Sequence, residues 1–214
     1  MYEHLIKLQK RLAEKLVICP YENDVKLVAG VDVSFDRYSN IGFCSIVVLD
    51  KMFNIVEAKF HKMGVKLPYI PGLLSFRELP LIMNTFKKLV NVPDIIICDA
   101  QGVAHPRGLG LASHLGIVLK IPTIGCAKNR LVGEYDVPPD KKGAYSILYY
   151  KGKEVGAVLR IKEGCRPVFV SPGNLIDINS SLTVIMKYVG KYKLPEPTRI
   201  AHIYSNKLRR SELI

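Results

Sequence analysis

The stretch at residues 94–116, DIIICDAQGVAHPRGLGLASHLG, decides the fold of this chain. It opens on a β-branched run, Ile95-Ile96-Ile97-Cys98, with the pattern of a short buried strand over 94–98. A loop follows, and its small residues lead into a helix expected over 108–119. IPTIGC at 121–126 then reads as another strand. Strand, helix, strand at this spacing is a parallel crossover unit. Asp99 therefore stands at the carboxyl end of a parallel strand, where open α/β sheets place their ligands. On this stretch alone it reads equally well as a turn cap.

Upstream, three strand-like runs at 26–35, 41–49 and 54–62 are joined by short links, which predicts an antiparallel β-meander. Pro68, Pro71 and Gly72 make 66–72 a stiff loop. A helix is expected over 73–89, either kinked at Pro80 or beginning near it. Residues 2–18 place Leu5, Leu8, Leu12 and Leu16 near helical spacing, predicting an amphipathic helix packed through its leucine stripe. Downstream, 143–150 and 154–161 form a hairpin, 167–170 is a short strand before Ser171-Pro172-Gly173-Asn174, and 176–189 is a helix. The tail 191–214 is basic and punctuated by proline. The expected fold class is α/β, a mixed sheet in which an antiparallel meander precedes parallel αβ units, flanked by helices. One domain spanning 1–214 is expected.

The chain carries 31 Lys and Arg against 19 Asp and Glu, a net charge of +12. That balance points to a polyanionic partner, nucleic acid before membrane, without separating DNA from RNA. No apolar run is long enough to span a bilayer, and the N-terminus lacks a signal-peptide core. A cytoplasmic location is expected. The five cysteines are scattered and form no CxxC pair, the pattern of reduced thiols rather than zinc ligands.

Asp32 lies inside the first strand, where Gly30, Asp32 and Ser34 share one face. It is either an edge acid facing water or a site residue, since burying an unpaired charge is costly. If its strand pairs beside 94–98, Asp32 meets Asp99. Two carboxylates in a basic protein suit a hard divalent cation such as Mg²⁺, the ion that activates water and neutralises charge in phosphodiester hydrolysis. Glu78 alone reads as an ordinary helix acid. Lys128 follows a strand end, His105 and Arg107 lie in the loop after Asp99, and His202 lies in the tail. Tyr69, held between prolines, offers either an apolar wedge against bases or a loop packed on its own protein.

Four strings in order, GVDVSF (30–35), PYIPGLLSFRE (68–78), DAQGVAHPRGLGLASHLG (99–116) and GCAKNRLVGEY (125–135), followed by PEPTRIAH (195–202), resemble the endonuclease V family. The resemblance runs from about Val28 to residue 202. It implies a ribonuclease-H-like fold and a DNA-repair nuclease that needs Mg²⁺, with Mn²⁺ as a substitute. The family nicks the second phosphodiester bond 3′ to deoxyinosine, leaving a 3′-hydroxyl and a 5′-phosphate. Carried onto this sequence, Asp32 and Asp99 are the metal ligands, and Glu78 is a third acid acting through water or a second ion. Lys128, His105 and His202 lie near the scissile phosphate, and His202 orients the attacking water. Tyr69, with Ile70 and Pro71, is the wedge. Gly72 to Leu74, with Gly102 and Gly110, lines the hypoxanthine pocket, and Arg107 adds a nucleic-acid contact. The expected partner is DNA containing deoxyinosine, with inosine-containing RNA left open, and the expected state is a monomer.

Two positions depart from the family pattern. Ala100 stands where a second glycine is usual, narrowing the pocket or restricting the turn if φ is positive there. Gly108 stands where many members carry a second arginine. Other ribonuclease-H-like nucleases, such as a junction resolvase, share the acids but not PYIPG. An inosine-specific ribonuclease remains an alternative. A non-catalytic binding module predicts no metal-dependent product. Glycines 108, 110 and 116 fail the G-x-G-x-x-G spacing of a dinucleotide loop.

Overall fold

The computed structural model describes residues 2–211. One eight-stranded mixed sheet organises them, in the order β3-β2-β1-β4-β5-β8-β7-β6. β1 (Val28–Phe35), β2 (Ile41–Leu49) and β3 (Ile55–Gly64) form the expected antiparallel meander. β1 also pairs in parallel with β4 (Ile95–Cys98), and β4 in parallel with β5 (Thr123–Ala127). β1 is thus a central strand, which removes the edge-acid reading of Asp32.

β6 (Tyr145–Tyr150) and β7 (Lys153–Leu159) close the expected hairpin through Lys151 and Gly152. Both have positive φ, 52° and 72°, the backbone of a two-residue turn that matches strand twist. β8 (Val168–Asn174) is longer than expected and enters the sheet antiparallel to both β5 and β7. Pro172 is accommodated because the register shifts beside Ile124, its partner on β5.

Strand alternation sorts the core. On one face Val31, Ile46, Ile96 and Cys98 pack with Leu81 and Ile82 of α2 (Leu74–Phe86) and Leu115 of α3 (Leu111–Leu119). On the other face Ile95, Ile97 and Ile124 pack with Leu182 and Ile185 of α4 (Ile178–Lys187). Val47 and Leu49 meet Ala201 of α5 (Glu196–Arg209) on that same side. α2 runs through Pro80 rather than starting there. Asp177 caps α4 by accepting from the Ser180 amide at 2.7 Å.

α1 (Glu3–Ala13) is shorter than the leucine pattern suggested, and Leu16 lies outside it. Leu5 and Leu12 are half-buried on the same face as Gln9, the one fully buried residue of the helix, while Leu8 is exposed. Polar contacts explain the burial of Gln9: its Nε2 donates to the carbonyls of Leu109 at 2.8 Å and Gly72 at 3.0 Å. The basic, proline-punctuated tail, to which the sequence assigned no element, contains α5. No helix among the described residues is long and apolar enough to cross a membrane.

Candidate active site

The β1–β4 register pairs Val31 with Cys98, so Asp32 and Asp99 emerge side by side at the next position. α5 covers the face that carries Gly30, Asp32 and Ser34. A Cβ on Gly30 would lie 2.0 Å from the Pro197 carbonyl, so only glycine lets the helix come this close. Ser34 Oγ donates to the Ser205 carbonyl at 3.0 Å, and Ser205 Oγ donates to the Asp32 carboxylate. One turn earlier, His202 Nδ1 lies 3.3 Å from Asp32 Oδ2. Asp32, Asp99 and His202 each offer a ligand atom, all within 4.8 Å of one another.

Basic groups already face both carboxylates. Lys128, just past β5, places Nζ 2.5 Å from Asp99 Oδ2. The hydrogen bond to Asp32 raises the His202 pKa above its ordinary value, against the opposing effect of burial. Glu78 arrives from the opposite layer, on α2. Burial first, and the Asp32 charge second, push its carboxyl up to about 8. Glu78 is therefore near the two acids electrostatically without being one of the clustered donors. Ser205 had no sequence signal of its own, although its three-residue spacing from His202 puts both on one face of a helix.

Beside the acids lies a cavity of about 430 Å³. Leu74, Leu109, Leu111 and Leu131 supply apolar walls, and Ser75, Gln101 and Asn129 supply polar edges. Asp99, Ala100 and Lys128 form one side, and Gly72, Gly110 and Tyr69 another. Tyr69 is 67% exposed at the rim. Its loop is held from behind. Ile70, Pro71, Gly72 and Leu73 form a turn closed by the Leu73 amide and the Ile70 carbonyl at 2.9 Å. Gly72 has φ 79°, as the third residue of a type II turn requires. Arg77 donates to the Leu67 carbonyl and lies over the Phe35 ring.

Two residues predicted from the sequence are placed differently. Gly102 does not line the cavity. It packs under β8, where a Cβ would lie 2.0 Å from the Pro172 carbonyl oxygen, and its amide donates to Ser171 Oγ at 2.7 Å. Arg107 is turned inward: Nη2 donates to the Gly72 carbonyl at 2.6 Å and Nε to Gln9 Oε1 at 2.5 Å. It braces the turn below Tyr69. His105 lines the cavity but is nearly buried; burial first, then Arg107, pushes its pKa down to about 4, so it is neutral. Its Nδ1 accepts from the Arg107 amide at 3.2 Å.

Ala100 does line the cavity, and it is not among the residues of positive φ, so its methyl narrows the space without straining the turn. Gly108 has φ 71°, a conformation an arginine would adopt only with strain.

Two carboxylates and an imidazole, converging where a lysine already sits, fit a divalent cation with oxygen-rich coordination. Asp32 and Asp99 would hold it. The family model for endonuclease V matches residues 10–203. The chain belongs to the endonuclease V family. Endonuclease V from Kosmotoga olearia is 49% identical over 191 residues, covering 89% of this chain and 84% of that one. The crystal structure of endonuclease V from Streptomyces avermitilis superposes with a TM-score of 0.94 at 34% identity, covering 99% of this chain and 94% of that one. Endonuclease V from Ciona intestinalis, crystallised with a DNA containing an inosine followed by a ribo-adenosine, shares the fold. Its TM-score is 0.86 at 23% identity, covering 99% of this chain and 98% of that one. As a member of that family, the chain is a nuclease acting on phosphodiester bonds, with its acidic cluster at the carboxyl ends of β1 and β4.

Proposed function

We propose that this protein nicks DNA at the second phosphodiester bond 3′ to deoxyinosine, with Mg²⁺ as its cofactor, leaving a 3′-hydroxyl and a 5′-phosphate. The observation that carries the reading is the junction of two features at Asp99. It belongs both to the donor cluster and to the wall of a cavity large enough for one purine. A nuclease directed by a single base needs such a joint, because the base must leave the stack to be inspected. The Ciona protein's inosine-containing DNA supports the choice of base.

In this reading Asp32 and Asp99 hold the cation, and Glu78 acts through water from the opposite layer. Bound there, Mg²⁺ lowers the pKa of water and neutralises charge developing on the phosphate. Lys128 adds positive charge beside Asp99. His202, oriented by Asp32, lies where it can direct the attacking water. Ser75, Gln101 and Asn129 offer hydrogen bonds to the edge of a flipped hypoxanthine. Tyr69, Ile70 and Pro71 fill the gap it leaves, and stacking there offsets part of the unstacking cost. Mn²⁺ takes similar oxygen ligands and is the expected substitute.

The test is a cut map. End-labelled duplexes with and without one inosine are incubated with the protein and Mg²⁺. A nick immediately 3′ of the inosine's 3′ neighbour, absent from the control, is expected. Equal cutting of both duplexes, or a cut on the 5′ side, overturns the reading. The same sequence made as RNA decides whether ribose is accepted.

A further inference from the structure

A second concavity, of about 500 Å³, adjoins the base cavity, and Lys128 and Asn129 line both. Its other walls are Arg166, Tyr192, Lys193, Leu194 and Arg199. Among the described residues, neither Arg166 nor Lys193 has a carboxylate partner, so two cations face this groove unneutralised. Tyr192 is 55% exposed, with the Arg199 guanidinium 4.3 Å from its ring centroid.

That aromatic surface is built rather than loose. Val189 and Pro195 pair across the base of the loop, and the Glu196 amide donates to the Tyr188 carbonyl at 2.9 Å. Glu196 is nearly buried and accepts from Arg199 Nε and Nη2 at 2.9 and 2.6 Å, fixing the guanidinium under the ring. A Cβ on Gly190 would lie 2.4 Å from Glu196 Oε1, so the loop is seated directly on that pair.

An aromatic ring set among unpaired cations is the arrangement that tracks single-stranded nucleic acid, with phosphates on the cations and a base on the ring. We infer that this groove, lined by Arg166, Tyr192, Lys193 and Arg199, binds the strand on the 3′ side of the cut. The inference rests on the nuclease reading above for its polarity. If the flipped base fills the first cavity and the scissile phosphate lies at Asp32 and Asp99, the chain beyond the cut leaves past Lys128. The groove begins at that lysine. Its ligand is several nucleotides of sugar-phosphate chain, with one base stacked on Tyr192.

The test uses fluorescein-labelled single-stranded DNA carrying one inosine, bound in Ca²⁺ without Mg²⁺ and read by anisotropy. One set ends two nucleotides past the inosine, a second extends about ten further on the 3′ side, and a third extends as far on the 5′ side. The wild-type protein should bind the 3′-extended DNA more tightly than the short one. In Tyr192→Ala/Arg166→Gln/Lys193→Gln that gain should vanish, a loss of roughly 5- to 150-fold, with affinity for the short DNA unchanged. The slope of log affinity against log salt should fall by about 1.4 for the two lost phosphate contacts. Arg166→Gln/Lys193→Gln should give the same slope change with a smaller loss of affinity, because the stack on Tyr192 remains. No gain from 3′ extension in the wild type, a gain kept by the variant, or a loss confined to the 5′-extended DNA overturns the inference. Failure of the nuclease reading shows separately, as wild-type protein that neither prefers nor cuts the inosine strand.

Discussion

Replacing Gln9 by alanine removes a polar bridge between the N-terminal helix and the rim of the base cavity. Gln9 has no exposed surface, and its amide makes three hydrogen bonds. Two are donated to neutral carbonyls, each contributing about 1 kcal/mol, and one is accepted from the charged Arg107, contributing about 1.5–3 kcal/mol. The loss is therefore about 3.5–5 kcal/mol, a ceiling because water can enter the space left behind. That is a large part of an ordinary domain's 5–15 kcal/mol or so. At about 2–4 °C per kcal/mol for a chain of this size, a loss near the lower figure drops Tm by about 7–14 °C. Gln9→Met keeps the volume and loses the hydrogen bonds, so it should fall nearly as far and separates polarity from packing. Both acceptors at Gly72 and Leu109 border the cavity, so KM for inosine DNA should rise more than kcat falls. Calorimetry and steady-state cutting of a single-stranded inosine substrate check the two arms. A Tm within about 2 °C of wild type, with KM unchanged, would refute the view that α1 docks through this residue to hold the Gly72 turn.

Glu78 gives a pH prediction whose sign is fixed. Its folded pKa, pushed up to about 8, lies above the ordinary 4.5, so its contribution to stability is fully present below 4.5 and is lost as pH rises towards 8. In chelator, Tm of the wild type should fall across that window by more than that of Glu78→Gln; parallel profiles would contradict a buried, neutral carboxyl. Tyr69→Ala should weaken binding to an inosine duplex more than it slows cutting of an inosine single strand, and equal effects in the two assays would argue against a wedge. Gly102→Ala forces a Cβ to within 2.0 Å of the Pro172 carbonyl oxygen, and should destabilise by about 1–3 kcal/mol or prevent folding. A Tm like that of wild type would show that β8 can move away.

The sequence by itself determined the sheet and the acids. The Ile95–Cys98 run, the crossover spacing and the meander give a mixed sheet with an acid on the first strand and another after Ile95–Cys98, while the pairing of β1 with β4 that sets Asp32 level with Asp99 came from the structure. These readings hold because strand alternation and short connections are local properties. The sequence did not show what covers each polar face. Proline punctuation hid α5, although Pro197 occupies the second helical position, where a missing N–H costs nothing. With α5 came Ser205 and the His202 contact to Asp32. Hydrophobic spacing pointed to leucines on α1 but not to the buried amide of Gln9 among them, because apolar periodicity records burial and not hydrogen-bond partners. Gly102 and Arg107 looked alike as ligand contacts in one glycine-rich loop. Only the folded chain separates them, sending the glycine under Pro172 and the arginine back to Gly72. Such long-range contacts leave no periodic trace along the chain.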